Sequence, residues 1–138
     1  MPIVRCAVRV IQYLWAGPYT FLGLLLAASA FLGGASGRIY DGTLEVAGGC
    51  FGVWISRLPV SWRLYAVTLG HVIVGVSPDS LSVHRRHEHV HVRQYERWGP
   101  MFIPVYLASS LVQWLRGRDP YRDNCFEREA CLQITKLK

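Results

Sequence analysis

The chain has 138 residues, which is enough for one domain and too few for two of ordinary size. Hydrophobic residues make up 51% of it, yet its formal charge is +6, carried by 13 arginines and only 2 lysines. Because the arginines are scattered among apolar segments, this balance favours membrane lipid as the partner and argues against nucleic acid. The four cysteines form no C-x-x-C pair, so we expect free or buried thiols rather than a cysteine zinc site.

The N-terminal region is apolar over a long stretch. No charged residue occurs among residues 10–37, and a helix of about 20 apolar residues can cross a bilayer. Gly17-Pro18 divides this region, which predicts a first helix over about residues 3–16 and a second over residues 18–32. We interpret the region as a transmembrane-type segment that places the protein at a membrane. A signal peptide and a buried core helix are the alternatives.

The middle of the chain has the composition of a small sheet. Asp41-Gly42 is a hairpin turn signal between two short runs of strand-forming residues. Residues 64–76 are rich in β-branched side chains, which predicts one or two strands. Glycines at positions 48, 49 and 52 break or bulge the run that follows residues 43–47. We therefore expect a small antiparallel sheet.

Three helices are predicted after the sheet. Ser80 or Ser82 can cap a helix that carries four of the five histidines and ends at Gly99-Pro100. Two further helices are predicted over about residues 105–115 and 125–135, and the first of them is apolar nearly all round.

Together these elements predict an α+β fold. It comprises an N-terminal apolar, transmembrane-type helix, a small antiparallel sheet, a helix with the histidines and a C-terminal helix pair. We divide the chain into a membrane-associated segment, residues 1–37, and a small metal-binding domain, residues 38–138.

The histidine-rich stretch holds a candidate metal site, because His87, Glu88 and His91 form the pattern H-E-x-x-H. Residues four apart share one face of a helix, so two imidazoles can bind one zinc ion while the glutamate reaches a water beside it. On that helix His84 shares the same face and is a reserve ligand. The alternative is a strand, which would align His87, His89 and His91 on one side.

A catalytic zinc site needs a third protein ligand and an open position for water. Glu127 and Glu129 in the last predicted helix are the candidates, and their spacing of two allows only one of them to face the metal. Glu127 is the preferred ligand and Glu129 is a reserve ligand. The alternative for Glu127 is a capping box with Asn124, in which its carboxylate bonds the backbone at the start of the helix.

These motifs resemble two groups of proteins. His87-Glu88-x-x-His91, followed by a helix with Glu127-x-x-Ala130, resembles the gluzincin class of zinc metallopeptidases, in which a glutamate from a downstream helix completes the site. The chain also resembles small bacterial membrane proteins that carry H-E-H-V-H-V-R-Q-Y-E-R-W-G and a later Y-R-D-N-P-F-E-R-E-A. This second resemblance covers about residues 65–131 and brings no known activity.

The gluzincin resemblance implies a minimal zincin-like fold and a role for each site residue. His87, His91 and Glu127 would bind Zn²⁺. Glu88 would be the catalytic general base, which takes a proton from zinc-bound water and later passes it to the leaving amine.

Three functions follow as hypotheses. The first is a membrane-associated zinc metallopeptidase-like protein, in the bacterial inner membrane, that hydrolyses a peptide substrate. The second, favoured by the small size, is a non-catalytic, zinc-stabilised membrane protein or an accessory subunit that contacts other subunits of a larger membrane complex. The third is a basic module for lipid head groups or nucleic acid, with incidental histidines. Glu88 favours the first, because a structural zinc site needs no acid beside its first ligand.

Overall fold

Helices and strands are mixed along the described part of the chain, which covers residues 2–58 and 65–135 in this computed structural model. The helices are α1 (Pro2–Trp15), α2 (Gly17–Leu32), α3 (Gly49–Ser56), α4 (Pro78–Trp98), α5 (Phe102–Leu115) and α6 (Cys125–Thr135). The strands are β1 (Ser36–Tyr40), β2 (Thr43–Ala47), β3 (Ala66–Leu69) and β4 (Val72–Gly75). The fold is therefore α+β, as the sequence predicts. Residue 64, the first residue of the segment 64–76 in which strands are predicted, lies outside the described residues.

The sheet is mixed, which corrects the expectation of an antiparallel sheet. Its strand order is β1-β2-β4-β3, and the central strands β2 and β4 run parallel between two antiparallel hairpins. Asp41 and Gly42 form the predicted tight turn of the first hairpin, with φ of 46° and 73°. Gly48 and Gly49, with φ of 88° and 65°, do not bulge a strand. They turn the chain from β2 into α3, and this helical connection is what allows a parallel pair.

The sheet lies between α2 on one face and α4 on the other. Two apolar clusters make these contacts: Ala27, Ala30, Val46, Val72 and Val74 on the α2 side, and Ala47, Ile73, Leu81 and Val92 on the α4 side. Side chains alternate along a strand, so residues next to those of the first cluster point towards α4. Two buried polar residues on that side, Glu45 and Thr68, thereby reach the histidine-bearing helix.

A cluster of aromatic rings joins α4, α5 and α6. Phe102 of α5 packs edge-to-face on Tyr95 of α4 and Phe126 of α6, with ring centroids 4.3 and 5.2 Å apart. α5 begins earlier than predicted because Pro104 falls in its first turn, where a proline nitrogen costs no helical hydrogen bond. Packing α6 against α4 in this way brings Glu127 close to the histidines.

The N-terminal region forms two helices, as predicted, but they are separated at Ala16, and Gly17-Pro18 begins the second helix. No described helix is by itself long and apolar enough to span a membrane. α1 from Cys6 onward and α2 meet the length and composition requirement only as a pair, and this pair is bent by 69°. The transmembrane-type helix and the division after residue 37 therefore stay predictions.

Candidate metal centre

The histidine-rich stretch is helical from residue 78 to residue 98, so the strand alternative is wrong. The helix is capped by Ser77, whose Oγ accepts a hydrogen bond from the backbone N–H of Ser80 at 3.1 Å, and not by Ser80 or Ser82. It ends at Gly99, with φ of 52°, as predicted. This regular helix sets the two histidines of H-E-x-x-H one turn apart on one side.

Three of the predicted ligands converge. His87 Nε2 lies 3.0 Å from Glu127 Oε2 and 3.1 Å from His91 Nε2, and His91 Nε2 lies 3.4 Å from Glu127 Oε1. Tetrahedral zinc with bonds of about 2.0–2.2 Å places its ligand atoms about 3.3 Å apart. His87, His91 and Glu127 can each offer one ligand atom to a single metal ion, since these atoms lie within 4.8 Å of one another, and two imidazoles with one carboxylate are a donor set that suits zinc.

Burial and mutual contacts shift the pKa values of Glu127 and His91. Burial by itself raises the pKa of Glu127, but hydrogen bonds from His87 and His91 outweigh it and lower that pKa far below its usual range. Burial lowers the pKa of His91, but the hydrogen bond and charge of Glu127 reverse this and leave that pKa above its ordinary value. Both shifts favour an ion pair between Glu127 and His91 when no metal is bound, and a divalent cation bound there would displace the proton of His91.

A buried glutamine determines which nitrogen of His91 faces the other ligands. His91 Nδ1 lies 2.8 Å from Gln94 Oε1, while Gln94 Nε2 donates to Glu129 Oε2 at 3.0 Å and to Phe126 O at 3.1 Å. Since an amide oxygen only accepts, Nδ1 of His91 carries a proton, and Nε2 of the neutral ring keeps its lone pair for a metal.

The two reserve ligands lie outside the converging group. Glu129 supports the site indirectly through Gln94, and its other oxygen is 3.4 Å from Arg97 Nη1. His84 stacks on Tyr65 with ring centroids 4.8 Å apart, and its Nδ1 contacts the backbone oxygen of Ser80 at 2.9 Å.

Glu88 lies beside the converging group. Its Oε2 accepts a hydrogen bond from Thr68 Oγ1 at 2.7 Å. Within residues 2–58 and 65–135, no protein group bonds its Oε1. Glu88, His91 and Glu127 line one cavity of about 230 Å³. One carboxylate oxygen is thus held in place while the other is available to accept a proton.

The rest of this cavity is mostly apolar and aromatic. Its further lining residues are Ala66, Val67, Thr68, Tyr95, Phe102, Ile103, Tyr106 and Tyr121. Tyr106 donates a hydrogen bond to Glu127 Oε1 at 2.7 Å. Burial and the charge of Glu127 raise the pKa values of Tyr106 and Tyr121 well above the ordinary range, so both hydroxyls stay protonated donors at neutral pH.

Sequence analysis missed three supporting residues, namely Thr68, Gln94 and Tyr106. Gln94 could have been found, because it follows His91 by three residues and therefore lies on a neighbouring part of the same helix face. Tyr106 left a weaker signal as a hydroxyl within an apolar helix. Thr68 left none, because its contact with Glu88 depends on how the sheet packs on α4.

Comparison with known proteins found no relative. No protein-family model, no curated protein and no solved structure matches this chain. The gluzincin resemblance stays a prediction, and the function has to be inferred from the chemistry of the site.

Proposed function

We propose that the chain is a membrane-associated zinc metallopeptidase-like protein that hydrolyses a peptide bond. The observation that carries this proposal is the convergence of His87, His91 and Glu127 beside the carboxylate of Glu88. Two imidazoles and one carboxylate are a ligand set typical of zinc sites that keep a position open for water. A bound zinc ion would supply a Lewis acid that polarises the substrate carbonyl and acidifies water.

The protein residues would divide the remaining work. Glu88 accepts a proton from the attacking water and delivers it to the amine as the C–N bond breaks. Thr68 orients that carboxylate through its hydrogen bond, and Gln94 keeps the imidazole of His91 in the tautomer that can bind metal. The apolar and aromatic side chains of the cavity wall limit the contact of these groups with water, which strengthens their electrostatic interactions.

Membrane association is supported by apolar side chains exposed along α1, α2 and α5. They include Val10, Ile11, Leu14, Trp15, Phe21, Leu24, Leu25, Leu107, Leu111, Trp114 and Leu115. Large contiguous apolar patches are rare on monomeric soluble proteins and mark contact surfaces for membranes or other proteins. We therefore propose membrane lipid as the partner of these helices and the bacterial inner membrane as the location.

A non-catalytic role is the second candidate, either as a zinc-stabilised membrane protein or as an accessory subunit of a larger membrane complex. The observation in its favour is that Glu127 connects α4, α5 and α6 through His87, His91 and Tyr106. A metal held there would cross-link helices and stabilise their packing without any chemistry.

Zinc content and one isosteric substitution distinguish these roles. Purified protein in detergent should contain one zinc ion per chain. Glu88→Gln should retain that zinc and lose peptide hydrolysis by at least about a hundredfold, because the amide cannot accept the proton. Glu129→Gln is the matched control and should keep both properties. Undiminished hydrolysis in Glu88→Gln would contradict the mechanism, while stoichiometric zinc without hydrolysis of any tested peptide would favour the non-catalytic role.

A further inference from the structure

A second polar face of α4 lies away from the metal ligands. Arg86, His89 and Arg93 recur at helical spacings of three and four, so they share one side of the helix. Together with Tyr40, Asp41 and Arg85 they line a cavity of about 330 Å³ that also reaches Gln133 of α6. We call this cavity the arginine groove.

The cations of the groove are incompletely paired. Arg86 and Arg93 are exposed, and neither forms an ion pair within residues 2–58 and 65–135. Arg85 donates from Nε to Glu45 Oε1 at 2.8 Å, but its Nη2 is buried and has no hydrogen-bond partner among the described residues. A buried donor without an acceptor is destabilising and indicates that water or a ligand oxygen completes it.

A buried carboxylate with several partners, Glu45, lies beside the groove. Glu45 is buried and accepts hydrogen bonds from Arg38 at 3.0 Å and from Arg85, and it also contacts His89 Nε2 at 3.3 Å. The guanidinium of Arg85 lies 4.9 Å from the ring centre of Tyr40. Because Arg38 and Arg85 already pair with Glu45, this carboxylate does not cancel the charge that Arg86 and Arg93 present to solvent.

We propose that the arginine groove binds a single phosphate group, either of a soluble phosphate compound or of a lipid head group. Guanidinium groups match phosphate oxygens in a bidentate fork, and several around one concave site hold such an anion firmly. Among the described residues, Asp41 is the carboxylate that lines the groove, and it is outnumbered by Arg86 and Arg93 even when Arg85 is counted as paired with Glu45. Val90 and Ile134 add an apolar wall that suits an organic group attached to the phosphate. The proposal does not depend on the metal centre or on peptidase activity.

The test compares two double variants of equal charge. R86Q/R93Q removes two charges from the groove, and R118Q/R128Q removes two exposed charges elsewhere. Full-length protein in detergent is titrated with inorganic phosphate at physiological salt, where diffuse attraction is largely screened. A second arm measures the binding of each protein to phosphatidylcholine vesicles with and without phosphatidylglycerol.

The expected result is that R86Q/R93Q weakens binding of at least one probe about tenfold or more, while R118Q/R128Q stays within about twofold of the parent. Variant-sensitive binding of inorganic phosphate would support a soluble source. A variant-sensitive preference for phosphatidylglycerol without phosphate binding would support a lipid source. Equal losses in both double variants, or no binding of either probe by the parent, would overturn the proposal. Far-ultraviolet circular dichroism checks that both variants are folded.

Discussion

The two polar faces of α4 differ in how their charges are paired. On the metal face, the nitrogens and oxygens of His87, His91 and Glu127 contact one another. On the other face, Arg86 and Arg93 have exposed charges without an ion-pair partner among the described residues. Buried charge requires pairing, whereas exposed charge does not. This difference supports our proposals that the first face holds a cation inside the protein and that the second binds an anion from solution.

The two buried carboxylates that contact α4, Glu45 and Glu127, also differ in the kind of side chain that pairs with them. Glu45 is bound by Arg38 and Arg85, whose guanidinium groups do not release their protons at physiological pH. Glu127 is bound by His87 and His91, which can do so. Glu45 contacts one imidazole as well, that of His89 at 3.3 Å, but Glu127 contacts two and has no arginine among its described partners, so Glu127 is the carboxylate better suited to exchange protons on its neighbours for a metal ion.

Among the predicted changes, loss of one metal ligand should lower zinc affinity most. His91→Ala removes one of three donors, so zinc affinity should fall by more than about a hundredfold and the protein should no longer carry zinc through gel filtration. His84→Ala is the matched control, since it removes the same side chain from the same helix outside the ligand group. Metal analysis of both variants checks this, and equal zinc loss in the two would contradict the assignment.

Removal of the support behind His91 should have the next largest effect. Gln94→Leu keeps the approximate volume but takes away the acceptor at His91 Nδ1, so zinc affinity should fall about 10–100-fold. Glu129→Gln serves as the control, because its side-chain oxygen can still accept from Gln94. Competition with a chromophoric chelator measures both affinities. If Gln94→Leu bound zinc like the parent protein, the glutamine would have no part in orienting the ligand.

The pH dependence of stability should change sign when zinc is added. The lowered pKa of Glu127 contributes stability above its unfolded value of 4.5 that is lost as pH falls through the folded value. The raised pKa of His91 contributes stability below its unfolded value of 6.5 that is lost as pH rises through the folded value. Metal-free protein should therefore gain most from this pair between pH 4.5 and 6.5.

Zinc competes with the proton on His91, so its affinity should rise with pH by at most about tenfold per unit and then level off. Thermal unfolding of zinc-loaded and metal-free protein across this pH range measures the difference. The zinc-dependent gain in Tm should grow towards neutral pH in the parent and be absent from His91→Ala. A gain that shrinks as pH rises would mean that His91 is not a ligand.

Local signals in the sequence predicted the elements of the fold better than their arrangement. Gly17-Pro18 and Gly99-Pro100 mark helix boundaries because their backbone chemistry acts on their own neighbours. The parallel pairing of β2 with β4 depends on where α3 directs the chain, and the pattern of strand residues does not encode that connection.

The same distinction holds for the candidate site. The spacing of His87 and His91 places them together whatever the rest of the fold does. Glu127 could be chosen from its helix position and the resemblance, but its contact with His87 depends on the aromatic packing between α4 and α6. Thr68 lies in the edge strand β3, and its contact with Glu88 can be recognised only when the packing of the sheet on α4 is known.

The smallest expected effect is that of the groove substitutions on the metal centre, because we expect the two faces of α4 to act independently. The side chains of Arg86 and Arg93 line the arginine groove, whereas His91 and Glu127 line a different cavity, so R86Q/R93Q should change zinc affinity and stability by no more than about 0.5 kcal/mol. When it is combined with His91→Ala, the two changes in unfolding free energy should add within the same margin, because the substituted residues share no partner. Chemical denaturation of the single-face and combined variants measures this. A coupling free energy well above that margin would show that α4 transmits binding on one face to the other.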